Sequence, residues 1–278
     1  MYTEDLFGPK SGVLFMDRLF DRVIVRSPSR SIVGCISTNP MRSTVSPSQA
    51  SRQHREYVSI LREHSIEVIE IPPLEEHPDS VFIQDTAIVG GRSGRALIAR
   101  FGAVSRRGEE VSVENLLKGM GFKTLRVQEP GTLEGGDVMV TDLGLVYVGV
   151  SDRTNTIGVE YLRKVFPEVQ VVEVPVTKVL HLLSAVNYLG NKTVAIVPEY
   201  IDPNYFRDFK LIRIPIEEAY AANMLYLGER KVLIPAGYPR TAEILKREGF
   251  KPVEIDVSEF WKCDGGVTCL SLPIYKTL

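Results

Sequence analysis

Apolar and polar positions recur in blocks along the chain. From Arg95 to Val127 an apolar run, ALIARF, leads into a polar loop, GAVSRRGEE, then a helix-like stretch, VSVENLLKGMG, then a second apolar run, FKTLRV. The order returns from Leu145 to Val174 (LVYVGV, SDRTNT, IGVEYLRKVFP, EVQVVEV) and from Lys231 to Val257 (KVLIPA, GYPR, TAEILKREG, FKPVEIDV). Weaker copies start near Asp21 (DRVIVR) and Lys192 (KTVAIV). Strands alternating with helices of this length predict an α/β protein.

Each unit is followed by a further short apolar segment with polar residues near its start: VFIQDTAIV, TLEGGDVMV, VLHLLSAVNYL, YAANMLYLG and GVTCLSLPIY. One polar residue from each, Asp85, Glu134, His181, Asn223 and Cys269, forms a series with steps of 49, 47, 42 and 46 residues. A near-constant period of this size is the mark of a repeat architecture. The last such segment has no unit after it and the first unit has no such segment before it. Joining these ends would close a five-unit ring and remove exposed sheet edges. The expectation is therefore a single domain over residues 1–278, with residues 1–20 as an N-terminal extension of no assigned role. In a ring the five polar positions are equivalent and can converge on the axis. Five unrelated half-buried strands with scattered polar residues are the alternative.

Composition narrows the function classes. Thirty-three basic against 35 acidic residues leave a formal charge of −2, which supplies no long-range field for nucleic acid or an anionic membrane. No apolar run approaches the roughly 20 residues that span a bilayer. The N-terminus lacks a basic region before an apolar stretch, so no secretory signal is expected and a cytoplasmic protein is. Three cysteines, Cys35, Cys263 and Cys269, do not suggest a disulfide framework and fit a reducing compartment. The Cys263–Cys269 spacing and the four histidines show no zinc-ligand pattern, and no phosphate-cradling glycine loop is present, so neither metal nor cofactor is expected.

The converging set would hold a thiol, an imidazole and two carboxylates. A thiol is a strong nucleophile only as thiolate, which a nearby cation favours. His181 could act as general acid and base near neutral pH. Glu134 could orient that imidazole or bind a cationic substrate, and Asp85 could bind a cation directly. A guanidinium is planar, presents several N–H donors and suits bidentate carboxylate pairing. Taken singly, Cys269 in VTCLSLPI reads as a small buried hydrophobe, His181 as a hydrogen-bonded core histidine and Glu134 as a residue flanking a Gly-Gly turn. Their common period raises all three together.

The segments PDSVFIQDTAIV, RFGAVSRRGEE, TLEGGDVMV, VGVSDRTNTIGVEYL, LHLLSAV and DGGVTCLSLPI occur in an order that resembles the dimethylarginine dimethylaminohydrolases, in the superfamily that also holds arginine deiminases and amidinotransferases. The resemblance covers most of the chain from about Arg52 onward. It implies a five-bladed α/β propeller of pseudo-symmetric ββαβ units. It implies hydrolysis of an N-methylated arginine to citrulline and an alkylamine through a covalent thiouronium on cysteine. Arginine deimination or amidino transfer is the alternative, and a non-enzymatic propeller scaffold is a third reading. By the same resemblance Cys269 is similar to the nucleophile, His181 to the general acid–base and Glu134 to the acidic member of the catalytic set. Asp85 matches the carboxylate that holds the guanidinium nitrogens, Asp79 a residue near the α-amino group, and Arg106 and Arg153 the pair that grips the α-carboxylate. Met41, in NPMRSTVS, falls where the family has a mobile lid.

One departure from the family and one feature that separates it from its relatives bear on the substrate. Gln84 stands where the family usually has Glu, which either removes a charge beside the guanidinium or is a near-isostere outside direct contact. Leu183 stands where deiminases carry a second carboxylate, and an apolar group there leaves room for N-methyl groups. The expected partner is thus a small guanidine. Neither nucleic acid nor membrane is expected, and a homodimer is left open.

Overall fold

Segments of β-branched and aliphatic residues bounded by turns form the strands, and the stretches between them with a stripe of apolar residues form the helices. The computed structural model describes residues 18–278. Residues 1–17 of the expected extension lie outside the described residues, and Phe20 already belongs to the first strand.

The first unit holds β1 (Phe20–Arg26), α1 (Pro47–Glu63) and β2 (Glu67–Ile71); the second β3 (Ala87–Gly90), β4 (Arg95–Ile98), α2 (Glu109–Gly119) and β5 (Lys123–Arg126). The third holds β6 (Val138–Val140), β7 (Leu145–Val150), α3 (Thr156–Val165) and β8 (Gln170–Pro175); the fourth β9 (Val186–Tyr188), β10 (Thr193–Ile196) and β11 (Lys210–Arg213). The fifth holds β12 (Leu225–Gly228), β13 (Lys231–Pro235), α4 (Pro239–Arg247) and β14 (Lys251–Ile255), followed by α5 (Ser258–Trp261) and β15 (Leu272–Tyr275).

One pairing rule runs through all five. The first strand lies antiparallel to the second, and the second parallel to the third, as in β3–β4–β5, β6–β7–β8, β9–β10–β11 and β12–β13–β14. In the first unit β15 supplies the antiparallel strand, with Ile24 opposite Leu272, so the last strand completes the first unit. β15 also runs parallel to β3, which fuses the first two units into a six-stranded sheet, β2-β1-β15-β3-β4-β5; the other three units remain three-stranded. The fold is mixed α/β, as expected.

The fourth unit departs from the expected plan. Where the others have an α-helix, Pro203–Phe206 makes only a 3-10 turn, capped by Asp202, whose side chain accepts the Asn204 N–H. Pro198 and Pro203 each lack the N–H that a helix interior needs. The α-helices that do form carry legible signals. Ser46 caps α1 ahead of Pro47 and turns Ala50, Tyr57, Val58 and Leu61 inward; Asn155 caps α3 through the Gly158 N–H. Parallel strands are covered on both faces and read as nearly continuous apolar runs. Val23–Val25, Val146–Val148 and Val232–Ile234 fit that rule and are buried in the core. Among the described residues, no helix is long and apolar enough to cross a membrane.

Candidate active site

Each residue of the 42–49-residue series sits at the same point of its unit, in or beside a short 3-10 turn just ahead of the unit's first strand. Asp85 lies within Ile83–Thr86 before β3, Glu134 caps Gly135–Asp137 before β6, and His181 caps Leu182–Ser184 before β9. Asn223 ends Ile216–Ala222 before β12, and Cys269 lies within Thr268–Leu270 before β15. A turn at this point releases a side chain from the strand's alternation and aims it past the strand end.

Side chains of one unit brace the backbone of the next. Asp85 Oδ1 accepts the Gly136 N–H (2.9 Å), Asp137 Oδ1 accepts the Leu182 N–H (2.9 Å), and Asn223 Oδ1 accepts the Thr268 N–H (2.9 Å). The Gly-Gly pair after Glu134 is required by close approach, since neither glycine has positive φ. A Cβ on Gly136 would stand 2.6 Å from His181 Nδ1 and 2.8 Å from Asp85 Oδ1.

Asp79, Asp85, Arg106, Glu134, Arg153, His181 and Cys269 line one narrow cleft. The cleft shares Ile36, Arg153, Leu180, Ser184, Asp264 and Gly265 with a wider vestibule of about 570 Å³. His181 Nε2 lies 2.9 Å from Glu134 Oε2, and Glu134 Oε1 accepts the Gly102 N–H at 2.9 Å. Cys269 Sγ accepts the Gly266 N–H at 3.4 Å. Burial alone would lower the proton affinity of His181, but the carboxylates of Asp85, Asp137 and Glu134 raise its pKa to about 9. Burial, with the charge of Asp85, pushes the Cys269 thiol up to about 11. Burial opposes ionisation of Asp85 too, yet His181 and Arg106 hold it below the usual carboxylate range. At neutral pH the cleft therefore holds an imidazolium beside carboxylates and a neutral thiol.

The same donor set bears on metal binding. One ligand atom each from Asp85, Glu134 and His181 lies within 4.8 Å of the others, close enough to share an ion. All four carboxylate oxygens already have partners: Gly136 N and Arg106 for Asp85, Gly102 N and His181 for Glu134.

The remaining expected residues divide. Asp79 lies in the cleft wall, with both oxygens accepting the Ile36 N–H. Arg153 faces both cleft and vestibule, with Nη1 3.8 Å from Glu134 Oε1. Arg106 lines the cleft but is buried and committed: Nη1 donates to Asp85 Oδ2 (2.7 Å), Nη2 to Glu109 Oε2 (2.9 Å), and the guanidinium stacks 4.5 Å from the Phe101 ring centroid. Gln84 and Leu183 line a separate small cavity with Asn187, Tyr188 and Thr268, whose walls include none of Asp85, Glu134, His181 or Cys269. Gln84 Oε1 is buried there with no hydrogen-bond partner. Met41 is 45% exposed and lines neither cleft nor vestibule.

Two features escaped the sequence reading. Cys35 and Cys263 form a disulfide, against the expectation drawn from a low, odd cysteine count. The bond joins the base of the Ile36–Val45 loop to the segment that leads into Cys269, positions 228 residues apart. Asp137 and Glu109 are the second. Both lay inside quoted motifs, LEGGD and SRRGE, yet their partners belong to other segments, and no spacing signal marks them.

Comparison with known proteins agrees with this geometry. A family model described as N,N dimethylarginine dimethylhydrolase, eukaryotic, matches residues 39–276. The chain is 37% identical over 257 residues to an N(G),N(G)-dimethylarginine dimethylaminohydrolase of Pseudomonas aeruginosa, covering 91% of this chain and 99% of that one. It is 40% identical over 254 residues to a protein of the same name from Streptomyces coelicolor, covering 90% and 96%. A solved structure of the Pseudomonas aeruginosa protein, a Cys-to-Ser mutant complexed with citrulline, matches with a TM-score of 0.86 at 35% identity, covering 92% of this chain and 100% of that one.

Proposed function

Since the chain belongs to the dimethylarginine dimethylaminohydrolase family, we propose that it hydrolyses the guanidinium of an N-methylated arginine to citrulline and an alkylamine. The observation that carries this reading is the single cleft in which Cys269 meets His181, Glu134 and Asp85.

Asp85 holds the guanidinium nitrogens, which places the central carbon at Cys269. The docked cation favours the thiolate, so the thiol that burial keeps neutral gives up its proton to solvent as the substrate binds. Sulfur attacks the guanidinium carbon and a C–S bond forms. The bond from that carbon to the methylated nitrogen then breaks, with His181 giving its proton to the departing amine. Neutral His181, oriented by Glu134, next takes a proton from water. The resulting hydroxide attacks the thiouronium carbon, the C–S bond breaks as the added hydroxyl passes its proton to the departing sulfur, and citrulline leaves with the Cys269 thiol and the His181 imidazolium restored. At the other end of the substrate Asp79 meets the α-amino group. The grip on the α-carboxylate falls mainly to Arg153, because Arg106 is tied to Asp85 and Glu109. The loop that carries Met41 acts as the lid: its Ile36, Ser37 and Thr38 line the vestibule, and Met41 itself lies outside that lining.

Leu183 lines a separate small cavity and not the cleft. The choice between methylated and plain arginine therefore rests on family membership and on a substrate panel. Dimethylarginine, monomethylarginine and arginine assayed side by side for ureido product should show turnover of the methylated substrates. Citrulline from arginine alone would favour deimination, and ornithine formed with an acceptor amine would favour amidino transfer.

The five units are read as blades of a propeller within one domain. The common pairing order and the completion of the first unit by the last strand support this.

A further inference from the structure

Asp137 is a buried carboxylate with no part in the steps above. Its Oδ1 accepts the N–H of Leu182, the peptide that follows His181, at 2.9 Å. Its Oδ2 accepts the Ser151 hydroxyl at 2.7 Å. Ser151 Oγ in turn accepts the backbone N–H groups of Arg153 (3.0 Å) and Thr154 (3.2 Å). One fully buried side chain thus ties the turn that carries the general acid to the loop that carries Arg153. The surroundings are built around it: a Cβ on Gly149 would come within 2.6 Å of Asp137 Oδ1.

We infer that Asp137 is the positioning residue of the general acid–base: by holding the Leu182 peptide from one side and Ser151 from the other, it fixes the His181 imidazole against Glu134 and in register with the Arg153 loop. This inference rests on the activity proposed above. A buried carboxylate that accepts hydrogen bonds from two segments sets their separation, and sub-ångström placement of a proton donor is worth large rate factors. Asp137 also adds negative charge beneath the imidazole. The charged groups around His181 are Asp85, Glu134 and Asp137, with Arg106 and Arg153 reaching it through the first two.

Three variants test it: Asp137→Ala, Asp137→Asn and Ser151→Ala. Asp137→Ala should lower kcat roughly 10- to 100-fold, with KM changed by about threefold or less. Asp137→Asn keeps an oxygen for the Leu182 N–H and should recover most of that loss. It should also move the alkaline limb of the pH profile toward neutral, because one carboxylate beneath the imidazolium is gone. Ser151→Ala releases only the Arg153 side and should raise KM more than it lowers kcat. NMR titration of the His181 imidazole gives a readout independent of turnover and should show its transition at lower pH in Asp137→Asn. If Asp137→Ala does not fold, the other two variants decide the matter. A folded Asp137→Ala with kcat within about twofold of wild type, or an Asp137→Asn with unshifted His181 titration, overturns the inference. Absence of dimethylarginine turnover in the wild type would instead sink the proposed activity and leave Asp137 to be judged by the titration.

Discussion

The floor and the rim of the cleft are held in different ways. At the floor, Asp85, Glu134 and His181 are buried, and each is tied to the backbone or side chain of another unit. At the rim, the Ile36–Val45 loop is partly exposed. It hangs from Asp79 at the Ile36 N–H, from Asp264 at the Thr38 N–H, from the Trp261 carbonyl at Asn39 Nδ2, and from the Cys35–Cys263 bond. A floor braced on all sides cannot adjust to a lost group, because an unpaired buried polar atom costs the full desolvation penalty. A rim anchored at a few points can adjust. Damage to the floor should therefore fall on chemistry, and damage to the rim on access and affinity.

The sharpest break in that contrast would come from His181. His181→Ala should lower kcat about 100- to 10,000-fold in steady-state assays with dimethylarginine. Glu134→Gln should leave more activity but move the alkaline limb of the pH–rate profile toward neutral, since Glu134 helps hold the imidazole proton. The same proton bears on stability. Folding raises the pKa of His181 from 6.5 to about 9, so its stabilising contribution is complete below about pH 6.5 and is lost as pH rises through about 9. Urea midpoints across that range, compared between wild type and His181→Ala, check the sign.

Arg153 stands between the two regions. Arg153→Ala should raise KM roughly 10- to 100-fold with a smaller change in kcat, as loss of a charge-assisted grip predicts. An equal fall in kcat would move Arg153 to the floor. Farther out, Cys35→Ser should lower stability by about 2–5 kcal/mol and raise KM, leaving kcat within about threefold. Thermal melts with and without reductant, alongside kinetics, separate these effects. Met41→Ala should do least, within about 0.5 kcal/mol of wild-type stability, as exposed positions usually do.

The same contrast explains what could be read from the chain alone. The floor was legible because its residues occupy one register position in a repeated unit, so a period of 42–49 residues brought Asp85, Glu134, His181 and Cys269 into a single series. Asn223, the silent member, proved to brace the nucleophile's turn through Thr268. The rim was not legible. The pairing of Cys35 with Cys263 depends on two segments meeting from opposite ends of the chain, which no local pattern encodes. The sequence leaves Gln84 open between a place beside the guanidinium and one outside direct contact; successive side chains in a tight turn point apart, and it lines a separate small cavity. Arg106 is expected to grip the α-carboxylate; it lines the cleft, but its bonds to Asp85 and Glu109 need three dimensions. The missing helix of the fourth unit was foreshadowed by Pro198 and Pro203 and by the weakness of that copy.

The central claim is that Cys269, a partly buried neutral thiol in the cleft, becomes the nucleophile. Acid quenching of the enzyme during turnover of dimethylarginine, followed by mass spectrometry of the digested chain, tests it directly. A substrate-derived adduct on the peptide containing Cys269, absent in Cys269→Ser along with all citrulline formation, is the predicted result. Continued citrulline release by Cys269→Ser would contradict it.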